Sequence, residues 1–412
     1  VLLCVLVFWW RSEFGFVSAL LRHYAFFLLA FCGIGLIYQA SLEVKMRRTR
    51  GRTYWLLFLI ITMQFATRAQ EQRPRDQDDP IRLKTDLVTV TASVTGVNAS
   101  AIKSLKADDF AIYEDGVKQK IDHFAATEEP FTLLLLLDIS GSTSEEIALI
   151  KRAARNFLGE LRFADRVGVI VFSREVEMIA EFTDPRAQVS SAIDGVATTR
   201  GESGYRFTPN TGTSFYDALF LAVEESPLKK VEGRKAIVCM SDGVDSTSKM
   251  KFKDIAPLAE KSEASVYFLE LNTEQETLQG LLKPKTDPSY INFSRSQIER
   301  YYADHDPDSI ERFRPRETMS PDTIREINAG LYKLSRRELR TLGEHTGGRV
   351  YPVKTLTDLT GVYKQVADDL RSQYSISYYP SNKTLDGRWR AIKVETRARG
   401  ATVRARSGYW AK

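Results

Sequence analysis

The chain has 412 residues, 43% of them hydrophobic and 27% charged, the balance of a globular protein with room for more than one domain. Its net charge of +5 is concentrated in residues 1–69, which hold eight basic residues and two acidic ones. The remainder is close to neutral, so no basic domain is left to argue for nucleic-acid binding.

The amino-terminal stretch reads as an apolar leader over 1–69. Met46 to Arg52 forms a positive segment and Tyr54 to Met63 an apolar one, the layout of a signal peptide over 46–69 with cleavage near Ala69. Arg68 beside the cleavage point leaves an uncleaved anchor as the alternative. Upstream, Tyr24 to Ala40 is apolar and near the lower length limit for a membrane span. Two readings stay open there. The stretch is a transmembrane helix with Arg47 to Arg52 as its cytoplasmic flank, or residues 1–45 precede a true start at Met46. Either way the body is expected to be exported, to the periplasm, outer surface or medium, or anchored in the inner membrane by its amino terminus. Cys4 and Cys32 lie in the leader, and Cys239 sits in an apolar run where it packs as a small hydrophobe.

Residues 70–80 are polar and proline-punctuated, as in a flexible linker. A β region follows over 81–127. Leu83, Leu87, Val88, Val90, Ala92 and Val94 largely alternate with polar residues. Phe110 to Tyr113 leads into a turn at Glu114 to Val117, and Lys118 to Phe124 is read as one returning strand. From 130 to 371 strands and amphipathic helices alternate. Phe131 to Leu137 and Arg234 to Met240 are continuous apolar runs of the kind buried on both faces of a parallel sheet. Helices are expected over Glu145 to Leu161, Ala187 to Val196, Ser214 to Glu225 (capped by Thr213 and Ser214), Lys253 to Ser262, Ser335 to His345 and Leu356 to Arg371. Thr198 to Asn210 is a long loop and residues 273–334 are a charged insertion, and both are expected to line the rim near or beside the site at the carboxyl edge of the sheet. The chain returns to β over 372–412. The two flanking β regions, each too short to bury a core alone, are expected to pack together as a small sandwich. Alternating arginines from Arg388 to Arg406 suggest a basic, solvated face.

Three fragments stand at the ends of the apolar runs or on the loop between them: Asp138 to Ser142, Gly212-Thr213, and Ser241 to Gly243. They supply carboxylates and hydroxyls, an all-oxygen set suited to a hard divalent cation, at the carboxyl edge where wound sheets place their sites. The pattern Asp-x-Ser-x-Ser, a distant Thr and a more distant Asp resembles the von Willebrand factor type A domain and its metal-ion-dependent adhesion site. The matching positions are Asp138, Ser140, Ser142, Thr213 and Asp242. The resemblance covers roughly 130–370 and implies an α/β, doubly wound, mostly parallel sheet. It further implies that Ser140 and Ser142 bind Mg2+ (or Mn2+ or Ca2+) directly, that Thr213 closes the shell, and that the aspartates act largely through bound waters. One coordination position stays open for an acidic side chain of a protein partner. Taken with the Glu-Asp-Gly near its start, the ending resembles secreted bacterial VWFA-related proteins of the type first catalogued in acidobacteria.

The expected function is cation-dependent protein binding or adhesion. The alternative is a structural or assembly role in the cell envelope, with the cation only tying loops together. No enzyme activity is expected. The body holds three histidines without a zinc pattern, no phosphate loop ends in Gly-Lys-Ser/Thr, and no general base stands beside the ligand aspartates. Membrane contact is expected only through an uncleaved leader. Asp217, Asp245 and Asp115 fit capping or turn positions better than ligand positions.

Overall fold

The computed structural model describes residues 87–96, 104–125, 130–140, 144–197, 212–305 and 319–411. The leader, the linker, Ser142 and the loop from Thr198 to Asn210 lie outside the described residues. With elements numbered in chain order, the central sheet contains β5 (Phe131–Asp138), β6 (Arg166–Phe172), β7 (Val176–Ala180), β8 (Arg234–Ser241), β9 (Ser265–Leu271) and β10 (Arg349–Val353). Their spatial order is β10-β9-β8-β5-β6-β7, parallel throughout except for the antiparallel edge strand β7.

Burial on both faces explains the unbroken apolar runs, because alternate residues face different helix layers. Leu133, Leu135 and Leu137 pack with Ile147, Ile150 and Phe157 of α1 (Ser144–Glu160) and with Val362 and Val366 of α8 (Leu359–Arg371). Val189 and Ile193 of α2 (Arg186–Asp194) join the same cluster. Leu134 and Leu136 face the other way. They share a core with Phe215 and Leu219 of α3 (Phe215–Phe220), Ile255 of α4 (Phe252–Lys261) and Leu339 of α7 (Pro321–His345). Cys239 is free and buried in that second layer, as a small hydrophobe. Among the described residues no helix is long and apolar enough to cross a membrane.

The described residues of the stretch expected as an insertion over 273–334 are largely helical. They carry α5 (Glu274–Leu282), α6 (Arg295–His305) and the first part of α7, which starts at Pro321 rather than at Ser335. The start signal is local: Ser320 accepts a hydrogen bond from the Thr323 amide at 3.1 Å, and Pro321 takes the first helical position. Ile324, Ile327 and Leu331 then face Leu281, Phe293, Ile298, Tyr301 and Val244 in a separate apolar cluster. Gly330 is required there, because a Cβ would lie 2.4 Å from the Tyr301 ring.

The flanking segments build two four-stranded sheets, ordered β13-β1-β11-β4 and β14-β12-β2-β3. These strands are β1 (Val88–Thr95), β2 (Phe110–Glu114), β3 (Val117–Gln119), β4 (His123–Ala125), β11 (Gln373–Tyr378), β12 (Trp389–Thr396), β13 (Thr402–Ala405) and β14 (Gly408–Trp410). Val90, Ala92, Ile112, Tyr374, Ile376 and Ile392 form their common core, so each flank supplies half of an interior. The single strand expected from Lys118 to Phe124 is two. β3 pairs with β2 across the turn Asp115-Gly116, both at positive φ (48° and 81°), the geometry of a tight hairpin. β4 then crosses to the other sheet, pairing with β11, because Phe124 stacks on Tyr374 at 5.1 Å inside the core.

The arginines do not form one solvated face. Arg390 and Arg406 are buried, and Arg404 is ion-paired with the buried Asp369. Asp369, near the end of α8, also accepts hydrogen bonds from Ser93 of β1 and from the Tyr351 hydroxyl of β10 at 2.9 Å. One carboxylate therefore joins the wound sheet to the flanking strands. Asp369→Ala strands the Arg404 charge and should destabilise the chain by about 3–5 kcal/mol. The double variant Asp369→Leu/Arg404→Leu should lose less in urea denaturation. Equal losses in the two proteins would show that the ion pair is not what joins these layers.

Candidate metal centre

The site starts from strand order. β5 and β8 are parallel neighbours with Leu137 opposite Met240, so their last residues, Asp138 and Ser241, come side by side. Asp138 Oδ1 accepts from the Ser140 amide at 3.0 Å and the Ser140 hydroxyl at 2.5 Å, and Oδ2 accepts from the Ser241 hydroxyl. Thr213, 73 residues from Ser140, donates its hydroxyl to Ser140 Oγ at 2.6 Å. The backbone around Thr213 is fixed by the loop after β8. The Thr213 carbonyl accepts from the amides of Ser246 and Thr247 at 2.9 and 3.1 Å, and its amide donates to Ser246 Oγ at 2.8 Å. Gly212 makes this approach with φ +105°, and a Cβ there would lie 2.8 Å from Thr247 Cγ2.

Asp242 is one residue beyond β8. Its Oδ1 accepts from the Val244 amide at 2.8 Å. Its Oδ2 accepts from the Thr273 hydroxyl and from the Tyr332 hydroxyl at 3.2 Å. Its carbonyl accepts from Ser335 Oγ at 2.6 Å. The Tyr332 phenol is pushed well above its ordinary value by burial and by the Asp242 charge, so it remains a proton donor at any ordinary pH.

Burial and then the nearby Asp242 charge raise Asp138 to about 7, against hydrogen bonds from Ser140 and Ser241 that lower it. Asp242, half-buried as a residue but with its carboxyl group surrounded by protein, is also raised, mainly by burial. Arg336 lowers it through its charge, yet that guanidinium is bonded to Glu270 at 3.1 Å and Glu274 at 2.7 Å. Ser140 and Thr213 are half-buried, so the hydroxyl side of the site reaches solvent while Asp138 is enclosed.

Four of the five residues singled out in the sequence thus lie together. Asp138, Ser140 and Thr213 form one hydrogen-bonded chain, and Asp242 acts on Asp138 through its charge. Ser142 lies outside the described residues. Among the described residues no group of three or more His, Cys, Asp and Glu could hold a metal; two carboxylates and several hydroxyls instead make an oxygen-only set, chemically suited to a hard divalent cation. Ser241 stood in a singled-out fragment but was given no role of its own, and Thr273 and Tyr332 were missed by sequence reasoning. Ser241 carried a signal, since it ends a buried strand beside Asp242. Thr273 and Tyr332 carried none, because they stand in a segment read as an insertion.

The expected cap on α3 by Thr213 and Ser214 is corrected. The Ser214 hydroxyl donates to the Arg174 carbonyl at 2.8 Å and does not cap the helix. The first amides of α3 donate to the loop after β8 instead, Phe215 to Asp245 Oδ1 at 3.0 Å and Tyr216 and Asp217 to Ser248 Oγ at 3.1 Å. Asp217 accepts from the amides of Lys249 and Met250. Both acids therefore cap backbone, and they bind this loop to α3.

The raised Asp138 carboxyl gives stability a definite pH dependence. In the unfolded chain it releases its proton near the ordinary 3.8; folded, it holds that proton to about 7. Between those values the folded state binds more protons, so stability of the metal-free protein falls as pH rises from 4 to 7. Asp138→Asn should flatten this fall in urea denaturation with chelator present. An unchanged pH slope in the variant would contradict the assignment.

Residues 133–244 match the family of von Willebrand factor type A domains. No curated protein matches the chain. Among solved structures it is similar to an aerotolerance-related membrane protein from Bacteroides fragilis, at 15% identity over 59% of this chain and 98% of that one, with a TM-score of 0.34. BatB from Bacteroides thetaiotaomicron is 17% identical over 58% of this chain and 98% of its own, with a TM-score of 0.35. Proximal thread matrix protein 1 from the mussel byssus, solved with a zinc-occupied MIDAS motif, is 13% identical over 58% of this chain and 48% of its own, with a TM-score of 0.34. At such scores these likenesses say nothing about activity. The family match over 133–244 and the wound parallel sheet that contains it agree: the chain carries a von Willebrand factor type A domain.

Proposed function

We propose that this domain binds a divalent cation, Mg2+ by preference, and through it the acidic side chain of a protein partner, without catalysing a reaction. The observation that carries the reading is the meeting of Thr213, Ser140 and Asp138 in one hydroxyl-carboxylate chain beside a second carboxylate, Asp242. Two enclosed carboxylates, both raised by burial and Asp138 also by the Asp242 charge, are costly without a positive charge between them. Arg336, whose charge acts on Asp242, is already engaged by two glutamates.

Ser140, Ser142 and Thr213 would hold the cation, with Asp138 and Asp242 orienting its waters. Such a cation supplies an electrophilic position that a carboxylate oxygen can take in exchange for water. The half-buried Ser140 and Thr213 leave that side open to a partner. A role limited to tying loops together is less well supported. The Thr213 loop and the loop after β8 are already joined by direct backbone hydrogen bonds that need no metal. The signal-like pattern of residues 46–69 supports an exported or membrane-anchored location, in keeping with the secreted bacterial proteins that the flanking segments resemble.

Calorimetric titration of the full chain with Mg2+ tests this. Asp138→Ala and Asp242→Ala should each weaken binding by about 100-fold or more, with the circular-dichroism spectrum retained. Below pH 7 the wild-type affinity should drop by about tenfold per pH unit, because the cation must displace the Asp138 proton. Undiminished Mg2+ affinity in both variants would overturn the proposal. So would partner capture from envelope extract that is the same in Mg2+ and in chelator.

A further inference from the structure

Asp242 differs from Asp138 in where its support comes from. Asp138 is held by Ser140 and Ser241, at the ends of the sheet strands themselves. Asp242 Oδ2 is held by Thr273 and Tyr332, which the helical segment from α5 to α7 supplies. The Tyr332 hydroxyl lies 2.8 Å from both Thr273 Oγ1 and Thr277 Oγ1. Each hydroxyl has one proton, so when Tyr332 and Thr273 both donate to the carboxylate, Thr277 donates to Tyr332 and the Thr273–Tyr332 approach carries no proton of its own.

Thr273 stands at the amino-terminal cap of α5, yet its hydroxyl makes no capping hydrogen bond. A threonine there ordinarily bonds an amide of its own helix; this one bonds Asp242 instead. Arg336, whose guanidinium lies 5.8 Å from the Tyr332 ring centre, is kept on Glu270 and Glu274. The carboxylate is thereby oriented by neutral donors. A lysine or arginine in the same place would orient it too, but would cancel the charge that attracts a cation.

We propose that Thr273 and Tyr332 are positioning residues of the cation site, which fix the Asp242 carboxylate through neutral hydroxyl donors and leave its charge available to the metal. The inference rests on the cation-binding reading above. It makes the segment that looks like an insertion in the sequence a working part of the site.

The test is Mg2+ calorimetry on the full chain, with thermal melts in chelator for each variant. Thr273→Val and Tyr332→Phe, both nearly isosteric, should weaken Mg2+ binding by about 10–100-fold. Thr273→Ser, which keeps the hydroxyl, should bind as the wild type does. Leu331→Ala, in the apolar cluster of the same segment, should lower the melting temperature and leave the affinity unchanged. Val and Phe variants that bind like the wild type would overturn the inference while leaving the cation site standing. An equal loss of affinity in Leu331→Ala would also overturn it, since general loosening would then explain the effect. A wild-type chain that binds no Mg2+ would remove the cation reading and this inference together.

Discussion

Two carboxylates of like charge are enclosed at the carboxyl edge of the wound sheet, and the surroundings are arranged to tolerate them. Asp138 is buried at the end of the central strand, and Asp242 stands one residue past its neighbour. Burying a carboxylate is unfavourable unless donors surround it, and here the donors are almost all neutral. Serine hydroxyls and an amide serve Asp138; an amide, a threonine and a tyrosine serve Asp242. The loops that deliver these donors are in turn tied to one another, so the position of Thr213 follows from the conformation of residues 243–248.

This constraint gives the helical segment from α5 to α7 a reason to pack where it does. Its apolar cluster includes Val244, two residues beyond Asp242, and Ser335 of α7 bonds the Asp242 carbonyl. Farther along α7, Glu338 accepts from the Tyr216 hydroxyl at 2.5 Å and pairs with Arg300 of α6. Since Tyr216 follows Thr213 closely, a single helix contacts both loops of the site. The close approach that Gly330 permits to the Tyr301 ring sets the spacing between α6 and α7.

The flanking strands solve a separate problem. Neither flank has enough apolar surface to form a stable layer, and their strands alternate in space: β1 lies between β11 and β13, and β12 between β2 and β14. The same arrangement draws Arg390, Arg404 and Arg406 inward, where Asp386, Asp369 and Glu263 meet them. Charge alternation alone suggested a solvated face. It could not reveal that Asp369 and Glu263, from distant segments, would meet two of them.

Local pattern was sufficient for the strands and for the residues at their ends. A continuous apolar run such as Phe131 to Leu137 has few alternatives to a strand buried on both faces, and a polar residue directly after it must lie at the sheet edge. Asp138, Ser140 and Asp242 were legible for that reason, and Thr213 through the family pattern. Only the tertiary structure decided which hydroxyls meet which carboxylates. Ser241 and Asp138 are 103 residues apart, and Tyr332 and Asp242 are 90 apart. Their contacts depend on β8 lying beside β5 and on α7 crossing the loop after β8. No local propensity encodes either, because the packing of whole layers sets strand order and helix placement.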